Sequence, residues 1–237
     1  MHASALTESP AGPALPQLRI TVDTVILTVL AEHLQVLLVR RGETRFLGQW
    51  SLPGGFIRED ESLEHAALRE LRQATGVHDV YLEQLYTFGD PARDTRGRVV
   101  SVAYVALLAA DRCPLTPHRL EDEARWWPVD QLPQVAFDHG PMIAHALARI
   151  RTKLEYTSIG SQLVGEHFSL SELQSIYEII LGRRLDKRNF RRKLQLLGLV
   201  ESTDQLRQDR LGRPAKLYRF CDSNFFHLRD RGNRAPF

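Results

Sequence analysis

Cysteine is nearly absent: Cys113 and Cys221 are the two thiols in 237 residues. They lie far apart with no second metal-type ligand pattern beside them. That excludes a disulfide scaffold and reads as two reduced thiols in a cytosolic protein. No apolar run approaches the ~20 residues that a membrane helix needs. No basic segment followed by an apolar stretch opens the chain, so a secretory leader is not expected. Internal repeats are missing. The one biased tract is the Ala-, Pro- and Ser-rich stretch at 1–17, which reads as a disordered N-terminal arm. What remains is ordinary globular composition, with 43% hydrophobic and 25% charged residues, enough for one large domain or two modest ones.

The net charge of +2 hides a split. Residues 157–237 hold 15 Lys+Arg against 9 Asp+Glu, whereas residues 1–156 hold 16 against 20. A polyanion partner is therefore expected for the second half alone.

Ile20 to Leu30 is β-branched and apolar, a polar turn follows at Glu32-His33, and Leu34 to Val39 resumes the pattern. This predicts a hairpin of buried strands. Glu64 to Thr75 has helical spacing, with Gly76 placed to end it. Further strands are expected at Tyr81–Phe88, Val99–Leu108 and Trp126–Val129. Asp138 is expected to cap a helix from about Pro141 to Glu155. The pattern weakens over Tyr156 to Phe168, which places a domain boundary there, with domains at 18–156 and 157–237. Beyond it, Ser169-Leu170-Ser171-Glu172 is a capping box, with Leu170, Leu173, Ile176, Tyr177 and Ile180 on one stripe and Gly182 at the end. A second helix is expected from Asp186 to about Leu197. Two strands, around Val200 and at Leu217–Phe220, flank a polar tip.

Gly55, Glu61, Arg69, Glu70, Leu71, Gly76 and Val77 stand at the spacing G-x5-E-x7-R-E-U-x-E-E-x-G-U, where U is bulky aliphatic. Seven fixed positions within 23 residues resemble the Nudix box. The resemblance implies an α/β/α sandwich over roughly residues 18–150. It also implies a loop and helix that hold divalent metal against a pyrophosphate. Carboxylates at i, i+3 and i+4 share a helix face and can converge on Mg²⁺. Here those positions read Glu70, Gln73 and Ala74, so two of three carboxylates are gone. No metal site is expected, and any weak Mg²⁺ binding would rest on Glu70. Glu61 and Arg69 are expected to pair and brace the loop as vestiges of catalysis. Glu121, Asp122 and Glu123 could add a stray carboxylate or simply form a solvated loop.

A pocket can outlast its chemistry. Gly54, Gly55 and Phe56 lie in a turn where backbone amides can approach a phosphate. Arg40, Arg41 and Arg93 are candidate phosphate partners. Phe88-Gly89-Asp90-Pro91 stands about where ADP-ribose-handling Nudix proteins carry a proline. By that resemblance Phe88 and Asp90 join the effector site with Glu70.

Lys187, Arg188, Asn189, Arg191, Arg192 and Lys193 sit on the second helix of a helix-turn-helix pattern. A second helix of this kind lies in the major groove, where Arg can grip guanine and Asn adenine. Lys193 suits phosphate contact. Arg210 and Arg213 stand on the polar tip, where a winged domain has its wing.

A degraded Nudix box joined to a winged helix-turn-helix resembles the NrtR family, Nudix-related regulators of NAD metabolism. The likeness runs from about residue 18 to 221 and includes Phe137-Asp138-His139, Leu173-Gln174, Tyr177-Glu178 and Arg188–Lys193. It implies a cytoplasmic bacterial homodimer that binds a palindromic operator and responds to ADP-ribose or a related metabolite. The other reading is a Mg²⁺-dependent Nudix hydrolase of ADP-ribose-like substrates with an accessory nucleic-acid-binding domain. Glu61, Arg69 and Glu70 favour it, and Gln73 and Ala74 oppose it.

Overall fold

The computed structural model describes residues 18–42, 46–113, 123–154, 157–208 and 214–221. The arm at 1–17, Glu121, Asp122 and the tip arginines Arg210 and Arg213 lie outside the described residues.

The apolar run at the start becomes β1 (Arg19–Leu30), which turns into β2 (His33–Arg40). Ala31 and Glu32 make the turn with φ of 48° and 62°, the left-handed pair that matches hairpin twist. β3 (Trp50–Ser51), β4 (Gly54–Phe56), β5 (Tyr81–Phe88), β6 (Val99–Leu107) and β7 (Ala124–Pro128) complete a mixed sheet of order β3-β2-β1-β6-β5, with β4 on β1 and β7 on β2. β1 and β6 run parallel, in register from Arg19↔Val99 to Leu27↔Leu107. Alternation along β1 then divides the core. Val22 and Ile26 meet residues of α1 (Leu63–Thr75), while Val25 and Leu27 join the cluster that contains α2 (His139–Leu154). The helix–sheet–helix sandwich follows from that division.

α1 is capped by Ser62, whose hydroxyl accepts from the His65 amide at 3.2 Å, and ends at Gly76 with φ of 70°. α2 starts at His139, ahead of the expected Pro141, and the Asp138 carboxylate is not its cap. Arg93 takes both carboxylate oxygens, at 2.8 and 3.0 Å.

The second half forms β8 (Phe168–Ser169), α3 (Leu170–Leu181), α4 (Lys187–Leu196), β9 (Val200–Arg207) and β10 (Ala215–Phe220), with an antiparallel sheet of order β8-β10-β9. The capping box on Ser169 and Glu172 is present, Gly182 closes α3 with φ of 68°, and the Asp186 carboxylate caps α4 through the Asn189 amide at 2.7 Å. Glu178 shapes the turn between the helices. Its Oε1 accepts from the Leu185 amide at 2.8 Å and from Gln174 Nε2 at 2.9 Å. Burial raises the Glu178 pKa, but these bonds and Arg184 outweigh it and lower the pKa overall. Phe190 and Leu194 are buried beneath α4, and Phe190 packs edge-on to the buried Tyr177 ring at 5.4 Å.

The expected boundary near residue 156 does not separate two cores. One apolar cluster runs from Val25 and Leu38 through Met142, Ile150 and Leu154 of α2 into Leu173, Ile180, Phe190 and Leu194. α2 is thus shared by both halves, and Arg151 Nε on its last turns donates to the Ile180 carbonyl at the end of α3, 2.8 Å away. Among the described residues no helix is long and apolar enough to cross a membrane.

Candidate functional site

A cleft of about 650 Å³ lies where β1, β3, β4 and the segment after β5 meet the start of α2. Its walls include Thr21, Asp23, Arg41, Gly54, Gly55, Phe56, Arg93, Arg96, Phe137 and His139. Two glycines make its geometry. A Cβ at Gly54 would stand 2.3 Å from Asp23 Oδ1 and 2.4 Å from the Val22 carbonyl. One at Gly55 would stand 2.4 Å from Glu70 Oε1. β4 can lie against both β1 and α1 only because these side chains are missing.

The floor is a buried polar network. Ser101 Oγ donates to Asp23 Oδ2, and His139 Nε2 lies 3.5 Å from Asp23 Oδ1. The Leu52 amide donates to His139 Nδ1 at 2.9 Å. The Arg93 side chain, 3% exposed, holds Asp138 with two bonds and lies 3.7 Å from Asp23. Burial pushes the His139 pKa down, and that effect outweighs the neighbouring Asp23 and Asp138. The floor ring is therefore a neutral imidazole at pH 7.

The outer wall stacks cations on aromatic rings. Arg41 lies 5.1 Å over Phe137, and Arg96 lies 5.5 Å from the Phe56 ring and 5.7 Å from the Phe137 ring. Asp94 fixes the Arg96 guanidinium through its Nε and NH2, at 2.7 to 3.1 Å. Phe137 has a φ of 54°, an uncommon backbone state for a bulky residue and one that recurs at functional sites.

Several expected site residues fall elsewhere. Arg40 reaches the rim, but its guanidinium turns to Glu123 at 3.1 Å and the Gly48 carbonyl at 3.2 Å. Phe88 packs with Tyr86 and His145, because β5 presents it to the flank of α2. Asp90 accepts from the Ala92 amide at 2.7 Å and shapes its own loop. Neither Phe88 nor Asp90 lines the cleft. Glu70 sits behind Gly55 and pairs with Arg69, which also holds Glu61 at 2.6 Å and donates to the Phe56 carbonyl at 3.2 Å. The Arg69 bond holds the Glu61 pKa down at about 2. Asp23, Asp94, Arg96 and His139 were missed. They are scattered over 117 residues of sequence with no common spacing, and only the sheet brings them together.

The box resemblance implies Mg²⁺ on its carboxylates, and the residues here do not fit it. Glu70 Oε1 is bound by Arg69, Gln73 is neutral, and Ala74 is buried beside Ile26, Leu37 and Leu71. Among the described residues no three His, Cys, Asp or Glu side chains converge to hold a metal ion.

On α4, Lys187, Arg188, Asn189 and Arg192 are exposed along one side, with Arg192 donating to Asn189 Oδ1 at 3.4 Å. Arg191 differs from its neighbours. It is partly covered, and its NH2 donates to Ser171 Oγ at the start of α3, 3.2 Å away. It braces the helix pair. Lys193 is half-buried. Arg207 of β9 pairs with Glu172 on the first turn of α3, and Arg219 of β10 pairs with Glu201.

Comparison with known proteins assigns the two halves. Residues 20–146 match the Nudix domain family, and residues 160–220 match the NrtR DNA-binding winged helix domain. The chain is 39% identical over 218 residues to the ADPR responsive transcriptional repressor NtrR of Acinetobacter baylyi, covering 89% of this chain and 86% of that one. The structure of Shewanella oneidensis NrtR complexed with a 27mer DNA superposes with a TM-score of 0.78 at 40% identity, covering 85% of this chain and 93% of that one. The Nudix domain of the same protein, complexed with ADP ribose, superposes with a TM-score of 0.52 at 42% identity over 60% of this chain and 94% of that domain. With a cleft stripped of its metal carboxylates, a basic helix beyond it and relatives that match along nearly the whole chain, this protein belongs to the NrtR family of Nudix-related transcription regulators.

Proposed function

We propose that this chain is a transcriptional repressor that binds a palindromic operator as a homodimer in the cytoplasm and changes that binding when ADP-ribose occupies the Nudix cleft. The observation that carries this is α2. Its first residues, with Asp138 just before them, build the cleft, and its last turns share a core with the reader helices. Two recognition helices on one dimer meet two half-sites on one face of DNA. ADP-ribose binds one arrangement of α2 and the helix pair better than the other, and the difference in affinity shifts the dimer toward or away from the operator-competent spacing. No cofactor is required. The relatives that bind DNA and ADP-ribose at about 40% identity support both partners.

Electrophoretic mobility shift with DNA upstream of the protein's own gene and its neighbours, at fixed salt and with and without ADP-ribose, tests this. A specific complex that ADP-ribose alters is the expected result. A folded protein that retains no specific fragment, yet releases AMP from ADP-ribose with Mg²⁺ at an enzymatic rate, would make the chain a hydrolase instead.

A further inference from the structure

A leucine on a protein surface is ordinary; Leu196 is set apart by its place. It is the most exposed large apolar side chain among the described residues, at 75%. α4 fills its core positions without it, since Phe190 and Leu194 are buried and Leu197 packs against the same core. Leu196 falls on the other side of the helix. Asn189, Arg192 and Leu196 stand at i, i+3 and i+7, with Arg188 and Gln195 beside them, and all five are exposed. A helix lying in the major groove brings side chains to base edges at this spacing. Arg192 donates to Asn189 Oδ1 at 3.4 Å along the same stripe. The last turn of α4 is tied down. Gly198, with φ of 59°, turns the chain, and the amides of Gly198 and Leu199 donate to the carbonyls of Gln195 and Leu194 at 3.0 and 3.1 Å. Leu196 is thus held on the stripe and not on a fraying end. An apolar side chain gains nothing from a phosphate or from the polar atoms of a base. The one apolar group that a base pair shows in the major groove is the 5-methyl of thymine.

We propose that Leu196 reads thymine: its side chain covers the 5-methyl group of one thymine in each operator half-site. This rests on the chain binding its operator through α4. Leu196 lies about 10 Å along the helix axis from Asn189, so the two residues reach different base pairs. The readout of α4 then has a polar part at its start and an apolar part at its end.

Replacing thymine by deoxyuridine, which keeps the base pair and removes only the methyl group, tests it. The full-length protein is titrated with the fragment it retains from upstream of its own gene, with each thymine replaced in turn. One position in each half-site should raise the Kd of the wild type by about 4-fold, the factor carried by one buried methyl group. Leu196→Ala should raise the Kd for the unmodified fragment by at least as much and should no longer respond to deoxyuridine at that position. Leu196→Met, which keeps an apolar tip, should restore the response. Both residues are good helix formers and the site is exposed, so the melting temperature should stay at the wild-type value. A misfolded variant leaves the deoxyuridine scan of the wild type to decide. A wild type that responds at no position, or a Leu196→Ala protein that keeps the whole wild-type response, overturns the proposal and leaves the operator reading intact. A Leu196→Ala protein that sediments as a monomer and keeps the methyl response places Leu196 between two copies of the chain and also overturns it. A folded protein that retains no specific fragment overturns the operator reading and this proposal together.

Discussion

His139 Nδ1 accepts the amide hydrogen of Leu52 at 2.9 Å, which leaves the ring proton on Nε2, facing Asp23 Oδ1 at 3.5 Å. One backbone amide thus selects the tautomer, since an amide nitrogen can only donate. The same bond ties β3's end to the first residue of α2.

That arrangement sets a pH dependence. Burial holds the folded His139 pKa below its ordinary value of 6.5. Between the two values the unfolded chain binds the proton and the folded one does not, so stability rises with pH there and is fully present above 6.5. The melting temperature should fall as pH drops from about 7.5 to about 5.5, as expected for a histidine buried neutral. His139→Gln, which keeps an acceptor for the Leu52 amide, should show a shallower fall. Equal slopes in the two proteins would assign the acid sensitivity to other groups.

Gly54→Ala places a methyl 2.3 Å from Asp23 Oδ1 and 2.4 Å from the Val22 carbonyl, and backbone cannot yield as a long side chain can. The expected cost is about 1–3 kcal/mol, the range for overpacking. It is read as a lower urea midpoint at unchanged m. Gly76→Ala meets nothing within 4 Å and suffers only its φ of 70°, so it should cost no more than about 1–2 kcal/mol. A Gly54→Ala protein with the wild-type midpoint would show that β4 can move off β1.

The polar residues of α4 divide by contact. Arg188→Ala and Asn189→Ala should each relax base preference at one operator position by about 1–3 kcal/mol. Lys193→Ala should weaken all sequences alike and reduce the salt slope. Arg191→Ala should act mainly on stability, because it loses the bond to Ser171 that braces the helix pair. Binding measured on operator variants at several salt concentrations separates these, and a uniform loss in all four variants would reject the division.

Arg151 lies outside both the cleft and the reader helix, yet it bonds the end of α3. Arg151→Met should leave ADP-ribose affinity and ligand-free operator affinity near wild type while shrinking the ratio of operator affinities with and without ADP-ribose. Allosteric ratios of this kind run about 5- to 150-fold, wide enough for the change to be measured. A wild-type ratio in the variant would remove this contact from the coupling.

The elements legible in advance were those whose signal is local. The β1–β2 turn, the Gly76 and Gly182 helix ends, the Ser169 capping box and the Asp186 cap are decided by residues within four positions of each other. The strands β3, β4 and β8, two or three residues each, were missed because so short a run shows no alternation. Phe88 and Asp90 were assigned to the cleft by position along the chain and lie outside it, whereas Arg40 lines its rim while pairing with Glu123.

By itself the sequence determined the two domain types, the loss of the metal carboxylates at Gln73 and Ala74, and the basic helix at 187–193, because each is a pattern of neighbours along one element. Only the tertiary structure decided which charges face the cleft. Asp23, Arg93, Asp94, Arg96 and His139 come from β1, from one loop and from α2. Their meeting depends on the parallel register of β1 with β6 and on the packing of α2 across the sheet, long-range contacts that no local spacing encodes.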